Sequence, residues 1–160
     1  MGSTNDHADL TDIRNWRSRP DGITTSGKLE PSDAARLAAA GVTHVINLAL
    51  DDHPEALADE GALMAAAGIT YTHIPVPFDE PTRDHISTMR DAIEASDGPV
   101  HVHCIMNYRV TAFFYLIDLE AGVAESEARA RMQSVWDPLE SDDPRTEPWK
   151  QLLTSPSRQT

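Results

Sequence analysis

Short runs rich in β-branched residues alternate along this chain with segments of helix length, and that alternation limits the fold more than any other feature. GITTSG from Gly22, VTHVINLA from Val42, ITYTHIPV from Ile69 and VHVH from Val100 read as strands. PSDAARLAAAG and PEALADEGALMAAAG lie between them and read as helices. Each opens on a proline suited to a first turn (Pro31, Pro54), and each closes on a glycine that can take a left-handed stop (Gly41, Gly68). TRDHISTMRDAIEAS adds a third helix, with Thr82 as N-cap and Ile86, Met89 and Ile93 on one face. After the last strand come a helix from Arg109 to Glu120, another in AESEARARMQSVW, and a short one in EPWKQLL that docks through Trp149, Leu152 and Leu153. Strands joined by crossovers of this length predict an α/β fold, with a central, mainly parallel sheet of about four strands flanked by helices. Residues 1–20 are polar and expected to be loosely attached, 21–153 form the domain, and 154–160 are a tail.

Ligands of such sheets sit beyond the carboxyl ends of the strands. The only cysteine, Cys104, stands there, in HVHCIMNYRVTAFFYLI. One cysteine can form no internal disulfide and no cysteine-rich zinc site, so a reducing, cytoplasmic setting is expected. With 26 acidic and 13 basic residues the net charge is −13, which argues against nucleic-acid and membrane partners. No apolar run is long enough to span a bilayer. The opening MGSTNDHADL shows no signal-peptide pattern, and Asp6 stands where a myristoylation site needs Ser or Thr.

The turn Cys104-Ile105-Met106-Asn107-Tyr108 leads from a strand into a helix opened by Arg109. Free backbone N–H groups at a helix start bind anions, and the helix dipole favours negative charge, including a thiolate. Arg109 can hold an oxyanion through two parallel hydrogen bonds. These residues describe a nucleophilic cysteine at the floor of an oxyanion cradle, with Met106 and Tyr108 at its rim. The competing reading makes Cys104 a small buried hydrophobe and Arg109 a surface charge.

VHVHCIMNYRVTAF resembles the phosphate-binding loop of the cysteine-dependent protein tyrosine and dual-specificity phosphatases. It resembles more closely the small bacterial beta-lactamase-hydrolase-like phosphatase group. TTSGKLEPSDAARLAAAGVTHVINLA, YTHIPVPFDEPT and ARARMQSVWDP extend the likeness over roughly Ile23 to Leu153. The resemblance implies hydrolysis of phosphate monoesters through a cysteinyl-phosphate, on a phosphorylated small molecule or phosphoprotein, with no cofactor. It implies Cys104 as nucleophile, Arg109 with the amides of Ile105, Met106, Asn107 and Tyr108 as phosphate-binding groups, and Asp79 as general acid, with Glu80 and Asp84 as rivals. His103 and Asn47 would order the loop.

This chain departs from the superfamily pattern in three ways. Its loop is one residue short, Asn107 stands where related short loops carry glycine, and Val110 replaces the usual hydroxyl residue after the arginine. Asn is the next-best residue for a left-handed backbone. Without the hydroxyl, slow turnover is expected, Thr111 being one place further on. The four-residue spacing is also that of rhodanese-like sulfurtransferases, which makes sulfur transfer the rival activity. An inactive oxyanion-binding module is a further alternative. His101 and His103 share a face of one strand, near His44 and His73, but no carboxylate accompanies them at ligand spacing. They are read as core histidines, with no metal. The sequence leaves the natural substrate and the oligomeric state open.

Overall fold

The computed structural model of this chain describes residues 10–155. Five strands form one sheet in the order β1-β2-β5-β3-β4: β1 Arg17–Ser18, β2 Thr24–Ser26, β3 His44–Asn47, β4 Thr70–His73 and β5 Val100–His103. All neighbours are parallel except β1, which runs antiparallel to β2 with Arg17 opposite Thr25. The expected mainly parallel α/β sheet is therefore present, with a fifth strand that sequence reading missed. Two residues are too few to show a period.

Helices cover both faces. α1 (Asp33–Ala39) and α2 (Glu60–Ala66) pack on the side of Val45, where Leu37, Met64 and Ile69 form one apolar cluster. α3 (Arg83–Glu94), α4 (Tyr108–Glu120), α5 (Glu125–Gln133) and α6 (Glu147–Thr154) cover the other face, around Ile46, Val102, Met89, Phe113, Met132 and Trp149. Strand alternation sorts the central strand β5 accordingly: Val102 enters the second cluster, while His101 and His103 look to the first.

Two expectations need correction. Residues 10–18 are not loosely attached. Leu10, Ile13 and Trp16 are buried in the α1–α2 cluster, and Arg17–Ser18 belong to the sheet. Residues 1–9 and the tail beyond 155 lie outside the described residues. The second helix starts at Glu60, not Pro54, because Asp59 sits in the left-handed region (φ 58°) and the chain before it makes turns. The Thr82 cap holds: its side chain accepts from the His85 N–H, and the His85 ring accepts from the Thr82 N–H, the reciprocal pattern of a capping box. Among the described residues no helix is long and apolar enough to cross a membrane.

Candidate active site

β5 ends at His103, and the chain then makes one tight turn before α4 begins at Tyr108. The reversal needs one residue in the left-handed region. Asn107 takes it, with φ 67°.

Four consecutive carbonyls around this turn are held from outside. Cys104 O accepts from His103 Nδ1 at 3.1 Å, and Ile105 O accepts from the Lys28 N–H at 2.9 Å. Met106 O accepts from Asn15 Nδ2 at 2.9 Å, and Asn107 O from Thr111 Oγ1 at 2.8 Å. In a trans peptide the N–H points opposite to the C=O. The N–H groups of Ile105, Met106, Asn107 and Tyr108 are therefore turned to the other side of the loop. None of them meets an acceptor among the described residues. Backbone N–H groups gathered in this way at a helix N-terminus can hold an anion. Gly27 permits the close approach: a Cβ there would stand 2.4 Å from Ile105 O.

Cys104 is fully buried at the start of this loop and packs in the larger apolar cluster, on the face opposite His103. Its N–H donates to Ser26 O at 3.3 Å. Arg109 is also buried, so the reading of it as a surface charge fails. Its Nε donates to Val76 O at 2.8 Å, and its guanidinium lies 5.5 Å from the Phe78 ring centre. The two terminal nitrogens make no other contact of this kind among the described residues and keep their donors available. Val110 is buried, and the Thr111 hydroxyl is engaged with Asn107 O and Tyr108 O.

Asp79 is exposed, one residue from Phe78. The backbone around it is tied down on both sides. Val76 O accepts from Arg109, and Phe78 O accepts from Trp149 Nε1 at 2.7 Å. Glu80 is exposed on the same loop, and Asp84 is exposed in the first turn of α3.

His103 and Asn47 meet in a buried network that also contains two residues sequence reasoning missed, Glu60 and Tyr71. His103 Nε2 lies 2.5 Å from Glu60 Oε2. Asn47 Nδ2 donates to Tyr71 Oη at 3.1 Å and to Glu60 Oε1 at 3.4 Å, while Asn47 Oδ1 accepts from the Ala49 N–H. Both partners of the His103 ring are acceptors, a carbonyl and a carboxyl. The pair therefore carries one proton between Nε2 and Oε2 whatever its form. Burial, with the charges of Glu60 and Asp51 adding to it against the Asn47 hydrogen bond, raises the Tyr71 pKa to about 12, so the phenol stays neutral. Glu60 opens α2, where its local pattern is that of any solvated helix start.

His101, His44 and His73 are also satisfied by protein groups. His101 lies between Thr24 Oγ1 and Ser26 Oγ, each at 2.8 Å. His44 lies between Ser96 Oγ and Thr72 Oγ1, and His73 donates to Ala49 O. Among the described residues no three His, Cys, Asp or Glu side chains gather as a metal site.

A cleft of about 330 Å³ opens beside the loop between Phe78, Tyr108, Trp136 and Arg145. Tyr108 and Trp136 stack in parallel there, with ring centres 4.5 Å apart. Half-buried aromatic rings of this kind suit an apolar ligand group.

Comparisons with known proteins give a family and a fold. The family model of the beta-lactamase hydrolase-like protein, phosphatase-like domain, matches residues 15–139. A DUF442 protein from Shewanella putrefaciens CN-32 is 29% identical in one crystal structure, with a TM-score of 0.76, covering 96% of this chain and 95% of that one. In a second structure the identity is 30%, the coverage 92% and 93%, and the TM-score again 0.76. P. aeruginosa TpbA, solved in complex with phosphotyrosine, is 19% identical with a TM-score of 0.68, covering 88% of this chain and 83% of that one. The kinase-associated phosphatase, solved with serine in place of its catalytic-site cysteine, is 10% identical with a TM-score of 0.65, covering 81% and 83%. These last two share the fold. No curated protein matches.

Proposed function

The chain belongs to the phosphatase-like domain family of beta-lactamase hydrolase-like proteins, and from that membership and the loop geometry we propose that it hydrolyses phosphate monoesters through a cysteinyl-phosphate. The observation that carries the reading is the set of four outward carbonyls from Cys104 to Asn107, which leaves four N–H donors for an oxyanion beside Arg109. The Cys104 thiolate attacks phosphorus, and an S–P bond forms as the P–O bond breaks. The loop amides and the Arg109 terminal nitrogens hold the equatorial oxygens as their charge develops. Asp79 gives its proton to the departing oxygen, without which an alkoxide or phenolate leaves poorly. Asp79, now ionised, takes a proton from water. The resulting nucleophile attacks phosphorus, breaking the S–P bond and releasing inorganic phosphate and the thiolate.

The second step is expected to be the slow one. With Val110 apolar and the Thr111 hydroxyl engaged, neither residue offers a hydroxyl to the departing thiolate. The aromatic cleft suits a leaving group with a ring, so aryl phosphates are the first substrates to test. Both a phosphoprotein and a small phosphorylated molecule present such chemistry. The lone thiol fits a reducing cytoplasmic setting, which is part of the reading.

The test is hydrolysis of an aryl phosphate by wild type and Cys104→Ser, alongside sulfur transfer from thiosulfate to cyanide. Phosphate release lost in the serine variant supports the proposal. Robust sulfur transfer without phosphate release would favour the sulfurtransferase alternative.

A further inference from the structure

The cradle is short and lacks glycine, so its left-handed residue is an asparagine whose backbone needs bracing. Much of the bracing comes from a segment more than a strand away. Asn15, just before β1, donates Nδ2 to Met106 O at 2.9 Å, and its own carbonyl accepts from Asn107 Nδ2 at 2.9 Å. Asn15 is itself left-handed, with φ 51°.

We propose that Asn15 is a positioning residue for the anion cradle, acting as a two-way clamp on Met106 and Asn107; this rests on the reading of the loop as an oxyanion site. Its side chain fixes the Met106–Asn107 peptide plane and so aims the Asn107 N–H. Its carbonyl fixes the Asn107 side chain, together with Thr25 Oγ1 at 3.0 Å. Those two acceptors also decide which way the Asn107 amide faces. Turned over, Asn107 Oδ1 would oppose the Asn15 carbonyl. In the orientation kept, Oδ1 is buried with no donor. The clamp is thus held at a cost in stability.

The base of the clamp is firm. Ile13 and Trp16 on either side are buried, and Trp16 stacks on His101 with ring centres 5.0 Å apart. Arg14 adds a weaker second grip, with Nη1 3.4 Å from Ile105 O and 3.3 Å from Met106 Sδ.

Calorimetric titration of the full chain with orthovanadate tests the inference, with circular dichroism melting on the same samples. Asn15→Gly keeps the left-handed backbone and the carbonyl but loses Nδ2. Asn15→Asp keeps the shape but sets an acceptor against Met106 O. The expected result is a vanadate Kd raised roughly tenfold in Asn15→Gly and further in Asn15→Asp, with the glycine variant folded at the assay temperature. Unchanged affinity in the glycine variant overturns the inference, as does a loss of binding that only follows unfolding. Should the aspartate variant fail to fold, the glycine variant decides alone. A wild type that binds no vanadate overturns the cradle itself, and the clamp with it.

Discussion

Arg109, at the start of α4, donates its Nε proton to the carbonyl of Val76 at 2.8 Å, in the loop that carries Asp79. One buried side chain thus ties the proposed anion cradle to the segment proposed to supply the acid. Arg109→Lys removes both the tie and the planar pair of donors, and an ammonium replaces neither. The expected loss in kcat/KM for an aryl phosphate is roughly a hundredfold or more. Retention of most activity in the lysine variant would mean that point charge alone suffices.

Asp79→Asn should act in proportion to how badly the leaving group needs a proton. Turnover of phenyl phosphate is expected to fall by roughly a hundredfold or more, and that of a nitrophenyl phosphate much less. Glu80→Gln and Asp84→Asn are measured beside it. If either of these shows the leaving-group dependence and Asp79→Asn does not, the acid has been assigned to the wrong carboxylate.

What the sequence marked was the turn from Cys104 to Arg109, because its features are local. Cys104, Asn107 and Arg109 fall within one strand–turn–helix stretch, where the single cysteine, a left-handed-tolerant asparagine and a helix-opening arginine coincide. The braces were not legible, because they come from far along the chain. Glu60 reaches His103 across 43 positions and Asn15 reaches Met106 across 91. Neither stands in a local pattern that marks it. The segment before β1 was misjudged for a related reason. Its apolar residues, Leu10, Ile13 and Trp16, are sparse in a polar background, yet all three are buried. The sheet was readable from period and punctuation except for β1, whose existence depends only on its pairing with β2.

Glu60 offers a test of the buried network. Glu60→Ala leaves His103 Nε2 without its partner in a buried site, an expected loss of about 3–5 kcal/mol in unfolding free energy. Glu60→Gln keeps a hydrogen-bonding group of the same shape and should lose less. Urea denaturation measures both, and an alanine variant as stable as wild type would show that His103 is held by its Cys104 contact alone.

His101 sets a pH dependence of stability. Burial, and then the neighbouring His103 charge, hold its pKa well below the ordinary 6.5. Above that value the ring is neutral in folded and unfolded chains alike, and its contribution is fully present. As pH falls below it, the unfolded chain takes up a proton that native His101 refuses, and stability is lost at up to about 1.4 kcal/mol per pH unit. His44, lowered by burial, adds in the same direction. Denaturation midpoints between about pH 7 and about pH 5 should therefore fall with acidity, and less steeply in His101→Gln. An equal slope in the variant would locate the sensitivity elsewhere.

The account turns on Cys104 as the atom that receives the phosphoryl group. The most direct measurement is rapid acid quench of wild type turning over an aryl phosphate, followed by intact and peptide mass analysis. The slow second step predicts a phosphoryl group on Cys104 during turnover, absent from Cys104→Ser, which should still bind vanadate. Phosphate release by the serine variant at the wild-type rate, with no adduct on the wild-type cysteine, would contradict it.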